Sequence, residues 1–137
     1  NFELAKKNTD AFDNIVLLQA AASGVTGHCQ IENPDEGNNA FRISRSDTGP
    51  IDCFSIENLR ERFNVTDLFI VKIDIEGHES DLFSENLDWM DSTFLIIIEL
   101  HDWMDETQNT SQPFLGAAAL KRRSCILGKN VIFSFKN

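Results

Sequence analysis

An α/β fold with a largely parallel sheet is predicted, and three observations carry the prediction. Strongly apolar strand patterns run over 68–75 and 93–101, helical spacings lie between and around them, and glycine or polar turn residues mark the joins. A chain of 137 residues, 42% hydrophobic and 25% charged, holds one domain with its own core; residues 1–137 read as a single domain.

Along the chain, Phe2, Leu4, Ala5 and Phe12 share a helical face, which predicts a helix within 1–12, and Ile15 to Leu18 then predicts a buried strand. From Gly24 to Asp52 the composition shifts to Gly, Asn, Ser, Thr and Asp. Short alternating pieces at 26–32 and 40–45 predict a polar hairpin there. Ile51 to Ser55 reads as a strand, with Ser55 as the N-cap of a short helix from Ile56 to Phe63 in which Leu59 and Phe63 are spaced helically. After the strand 68–75, Gly77 permits a sharp turn, and His78 to Glu85 should open a helix with Leu82 and Phe83 facing the core. Thr93 to His101 is a continuous apolar run, as a strand covered on both faces requires. A polar loop at 105–112 leads to a weak helix at 114–120. A hairpin then pairs 124–127 with 131–135 around Gly128, Lys129 and Asn130.

Net charge is −10, which argues against nucleic acid, because phosphate-backbone binding rests on Lys/Arg patches. No apolar run reaches the roughly 18 residues of a membrane span, and Asn1 to Lys6 lacks signal-peptide organisation. The chain has no initiator methionine and reads as part of something longer. Cys29, Cys53 and Cys125 are odd in number and lack a CxxC spacing, so neither a zinc site nor a disulfide framework is expected. Three buried or incidental thiols suit a reducing compartment, and a cytoplasmic location is favoured. Between Ile73 and Leu120 stand eleven Asp or Glu and no Lys or Arg. That stretch is either a solvated acidic surface or a mouth suited to a cation.

The candidate site lies where charges interrupt apolar strands. Lys72, Asp74 and Glu76 alternate onto one face of the first strand, toward its carboxyl end, where open α/β sheets hold ligands. Glu99 and His101 share a face at the end of the second and should lie beside them if the two strands are parallel neighbours. Such a group offers a general base, or oxygen ligands for a divalent cation. Lys72 reads equally as a buried cation paired with Asp74 or Glu99. His78 reads as a surface residue on a new helix, and Glu79 as a carboxylate favoured by the helix amino terminus.

The run Val71-Lys72-Ile73-Asp74-Ile75-Glu76-Gly77-His78-Glu79 closely resembles the signature of the FkbM-type methyltransferases, which are similar to class I enzymes that use S-adenosylmethionine. Residues 1–8, Ile15 to Ala21, Ser55 to Leu59, Ile97 to Met104 and Gly128 to Phe133 are similar to further segments of the family. The resemblance implies a Rossmann-like sheet that is incomplete, its first two strands falling before Asn1, and closed by a carboxyl-terminal antiparallel hairpin. Residues 1–137 would then be a partial methyltransferase domain.

The implied activity is methyl transfer from S-adenosylmethionine to an oxygen of a small-molecule acceptor, a sugar or related metabolite. Carried over by position, Gln19, Ala20 and Ala21 would lie near the adenine. Asp74 and Glu76 would lie near the methyl donor and acceptor, with His101 beside the acceptor and Lys72 and Glu99 as electrostatic support. No metal site is assigned. The family's glycine-rich loop and its ribose-holding acidic residue have no counterpart here, so the chain by itself should bind S-adenosylmethionine poorly. Glu57 stands where aspartate is usual, Lys129 where an aromatic residue is common, and 116–124 match poorly. Two other readings stay open: a divalent-metal enzyme acting on phosphate or ester bonds, and a non-catalytic binding remnant.

Overall fold

The computed structural model describes residues 1–32, 42–104, 107, 109–119, 121–127 and 131–136, with the backbone alone at 125–127. The chain runs α1 (Phe2–Thr9), β1 (Ala21–Ala22), β2 (Gly27–Ile31), β3 (Ile43–Arg45), β4 (Ile51–Phe54), α2 (Ile56–Arg62), β5 (Leu68–Ile73) and α3 (Glu79–Leu82). It continues through β6 (Thr93–Glu99), α4 (Gln112–Ala119), β7 (Arg122–Leu127) and β8 (Val131–Lys136), with 3₁₀ turns at Asp88–Met90 and Asp102–Met104 on either side of β6. The architecture is mixed α/β, with one sheet ordered β1-β4-β2-β3 and another ordered β5-β6-β8-β7.

The expected largely parallel sheet is corrected. Only β1–β4 and β5–β6 pair in parallel, while β2–β3, β2–β4, β6–β8 and β7–β8 are antiparallel. Parallel pairing needs a crossover, which β5 and β6 have through α3; the connection at 128–130 between β7 and β8 permits only antiparallel pairing. The hairpins β2–β3 and β7–β8 fall where alternation predicted them. The turn at 128–130, the start of the 40–45 piece, Asp105, Glu106 and Leu120 lie outside the described residues.

Ile15 to Leu18 is not a buried strand: no ladder forms there, and Ile15 and Val16 are exposed. Pairing begins only at Ala21, opposite Cys53 of β4. An apolar run becomes a strand only beside a partner, and among the described residues 15–18 has none. α1 forms as predicted but buries no residue, and Leu4 stays exposed. α2 begins at the predicted cap, where Ser55 Oγ accepts from the Asn58 N–H at 3.1 Å. α3 closes after one turn, short of Glu85, but sends Leu82 and Phe83 into the core as expected.

The core lies on one face of the second sheet. Ile73, Ile96, Ile98 and Ile132 meet Leu82, Phe83, Trp89, Met90, Phe114 and Ala118. β6 is therefore not covered throughout: Ile96 and Ile98 are buried, Leu95 and Ile97 on the other face remain half-buried, and Phe94 is exposed. Arg122 fastens β7 to the start of β6, donating to the carbonyls of Met90, Thr93 and Phe94 and to Ser134. No helix among the described residues is long and apolar enough to cross a membrane.

Cys29 and Cys53 are joined by a disulfide between β2 and β4, with Cα atoms 6.2 Å apart. The expectation of free thiols is corrected, and the cysteine count no longer points to a reducing compartment. The antiparallel β2–β4 ladder sets Gly27 opposite Cys53 and Cys29 opposite Ile51, so the two cysteines become diagonal neighbours. A ladder of that kind leaves no mark in cysteine spacing. The Cys125 side chain lies outside the described residues.

Candidate functional site

The carboxyl ends of β5 and β6 come together because the two strands pair in parallel, in register as far as Ile73 opposite Ile98. The chain then leaves β5 through Asp74 and Ile75 into two successive left-handed residues, Glu76 at φ 52° and Gly77 at φ 94°. Glycine takes that conformation freely; a glutamate held there costs about 1–3 kcal/mol, strain that the surroundings must offset.

Glu79 follows at the start of α3, fully buried, where a solvated helix-end carboxylate was expected. Its Oε1 accepts from the Gly77 N–H at 3.2 Å and meets His101 Nδ1 at 2.6 Å. His101 is itself buried, and its Nε2 lies 3.7 Å from both Asp74 Oδ1 and Glu76 Oε2. One donor atom from each of Asp74, Glu76 and His101 falls within 4.8 Å of the others. A charge-assisted bond from a buried carboxylate fixes the imidazole's orientation and leaves Nε2 facing the two outer carboxylates.

Lys72 donates to Asp74 Oδ2 at 2.7 Å, and its side chain is 60% exposed. The expected buried cation is corrected, and an exposed pair of this kind is worth about 0–1 kcal/mol. Glu99 ends β6 opposite Val131 and stands apart from the converging trio. The expectation that Glu99 and His101 share a strand face assumed that the strand ran through His101. It stops two residues earlier.

His78 is not a surface residue: only 11% of its side chain is exposed. Burial lowers its pKa, while the charge of Asp81 pulls it back part of the way. The His78 Nε2 lies 3.1 Å from Asp81 Oδ2 without forming an aligned hydrogen bond. Asp81 also clasps the first sheet. Ser23 Oγ donates to it at 2.6 Å, the Gly24 N–H at 3.2 Å, and Arg45 Nε lies 2.6 Å away. Burial works to raise the Asp81 pKa, but Ser23, His78, Gly24 and Arg45 together bring it below the ordinary value. Gly24 must be glycine for this approach, since a Cβ there would sit 2.5 Å from the Asp81 carbonyl oxygen.

Between the clasped sheets lies a cleft of about 340 Å³, with Arg42 and Arg45 on the β3 side and Glu76, His78, Asp81 and His101 on the other. Gln19, Ala20 and Ala21 do not line it; Ala21 belongs to β1 in the first sheet. Sequence reasoning missed Glu79 as a partner of His101 and missed the Asp81 clasp. The first had a weak signal in its place beside the charged turn; the second had none.

The model of the methyltransferase FkbM domain matches residues 3–123. The chain belongs to the FkbM methyltransferase family. The matched span of the FkbM domain includes Asp74, Glu76, Glu79 and His101, and it stops before β8. A hexuronic acid methyltransferase, AglP, from Haloferax volcanii is 26% identical over 106 residues, covering 76% of this chain and 44% of that protein. The chain thus spans less than half the length of this relative. No solved structure matches.

Proposed function

We propose that this chain carries the acceptor side of an S-adenosylmethionine-dependent O-methyltransferase, within a Rossmann-like domain of which residues 1–137 are a part. The supporting observation is the buried Glu79–His101 pair, which turns Nε2 toward Asp74 and Glu76 at the end of β5. S-adenosylmethionine supplies a methyl group on a positively charged sulfur. Glu76 on the cleft wall suits that charge, and Gln19, Ala20 and Ala21 are assigned to the adenine by resemblance alone.

An acceptor hydroxyl must lose its proton as its oxygen is methylated. Asp74, Glu76 and His101 hold the hydroxyl and take up that proton, with Glu79 fixing the imidazole through Nδ1. Lys72 steadies Asp74 through its other oxygen, and Glu99, at the end of β6, is assigned as electrostatic support by resemblance alone. The relative's name, a hexuronic acid methyltransferase, supports a sugar acid or related metabolite as acceptor.

The test is transfer of labelled methyl from S-adenosylmethionine to a panel of hexuronic acids by the intact polypeptide that carries this chain. Asp74→Asn and His101→Asn should each lower kcat about 10²–10⁴-fold, the range typical of general acid–base groups, with little change in KM for the methyl donor. Wild-type rates in both variants would overturn the assignment.

A further inference from the structure

We propose that Asp74, Glu76 and His101 form a binding site for a divalent first-row transition-metal ion, with Glu79 as the positioning residue behind the imidazole. Acidic side chains at a surface gather without any ion, so the inference rests on the histidine. His101 is 3% exposed, and its Nδ1 is taken by Glu79 at 2.6 Å. Its Nε2 makes no hydrogen bond among the described residues, yet points into the gap between two carboxylate oxygens, each 3.7 Å away. A ring nitrogen turned toward two carboxylates, on an imidazole whose other nitrogen is held by a third, is a donor arrangement that a cation completes.

The donor geometry fits. Tetrahedral ligation with arms near 2.1 Å places ligand atoms about 3.4 Å apart; the two histidine–carboxylate separations are 3.7 Å, and all three atoms lie within 4.8 Å of one another. A carboxylate bound to the far nitrogen of a ligating histidine is the usual outer support of such sites, fixing the tautomer and raising ligand basicity. Lys72 engages Asp74 through Oδ2, which leaves Oδ1 as the oxygen nearer His101. Glu76 brings its Oε2 to the gap from a left-handed backbone. Three protein donors leave positions open for water or substrate. One imidazole with two carboxylates favours Mn²⁺, Fe²⁺ or Zn²⁺ over Ca²⁺, which prefers oxygen alone.

The site itself stands on this geometry; its use in methyl transfer rests on the proposed function. In the metal-loaded state Nε2 is a ligand and no longer a base. The acceptor hydroxyl then binds the ion through its oxygen, its O–H bond breaks with the electron pair kept on oxygen, and the proton passes to bulk water. The metal-free cluster takes the proton directly.

Titration of the intact polypeptide with Mn²⁺, without methyl donor or acceptor, reads the site directly by calorimetry. One saturable ion per chain is expected, bound at least tenfold more tightly than Ca²⁺. Asp74→Asn and His101→Ala should each weaken binding more than tenfold, and Glu79→Gln about 10–100-fold, as outer-shell partners do. Circular dichroism confirms that each variant is folded, and Lys121→Ala, at an exposed pair with Asp91 away from the three ligands, serves as a variant that must still bind. No saturable Mn²⁺ binding by the wild type, or unchanged binding in folded Asp74→Asn and His101→Ala, overturns the site. Because no methyl donor is present, that result leaves the methyltransferase assignment standing, and loss of methyl transfer with Mn²⁺ binding intact would do the reverse.

Discussion

At the scale of single residues, Glu79 and His101 are mutually dependent. Neither polar group has access to water, so each satisfies the other, and the Glu79 Oε2 is left without a hydrogen-bond partner among the described residues. Truncating Glu79 to Ala strands the His101 Nδ1 in a buried position, at a cost of about 1–3 kcal/mol for an unsatisfied polar group. Urea denaturation of Glu79→Ala should show that loss as a lower midpoint with an unchanged slope. Asp74, Glu76 and His101 were legible in the sequence because charge in an apolar strand is expensive and therefore conspicuous. Glu79 was not, because a glutamate at a helix start is ordinary, and nothing in the local pattern reveals that the strand 22 residues onward will release a histidine above it.

At the scale of elements, the clasp between α3 and the first sheet makes acid stability a local property. Asp81 has its pKa lowered from 3.8 and His78 from 6.5. For both, the unfolded chain takes up a proton before the folded one does, so stability falls as pH drops, first below 6.5 through His78 and then below 3.8 through Asp81. Calorimetric scans should give a transition temperature that is level above 6.5 and falls in two stages below it. His78→Gln should remove the first stage and leave the second. Most elements here were readable from alternation, capping and turn residues: the β2–β3 hairpin, the Ser55 cap, β5, β6 and the closing hairpin. The pairings beyond those two hairpins and β5–β6 were not. Ile15 to Leu18 has the composition of a strand and lacks only a neighbour, and Cys29 and Cys53 meet through a ladder set by two separate turns.

At the scale of the whole molecule, the second sheet has an open edge. Among the described residues β5 pairs only with β6, and Phe69 and Phe94 stack on each other at 5.4 Å while both remain exposed, with Ile70 exposed alongside. An apolar edge strand with free backbone groups invites another strand, and only repulsion between like-charged copies opposes it here. Self-association that rises with salt is therefore expected, and Ile70→Lys should suppress it; sedimentation velocity at low and high ionic strength reads both. The sequence indicated a sheet in which β5 would be followed by a parallel neighbour, and β6 supplies it. It could not indicate how few of the other ladders are parallel, because side-chain alternation records which face a residue takes and says nothing of the direction of the strand beside it.

The Asp81 clasp has a bearing on selectivity as well as on stability. Asp81 follows Glu79 by two residues on the same short helix, so the part that holds the far jaw of the cleft and the part that aims the reactive imidazole are one rigid piece. The jaw itself is stiffened by the Cys29–Cys53 cross-link. The gap between them is thus a fixed gauge, and the size of molecule admitted and the direction in which the histidine points are set together.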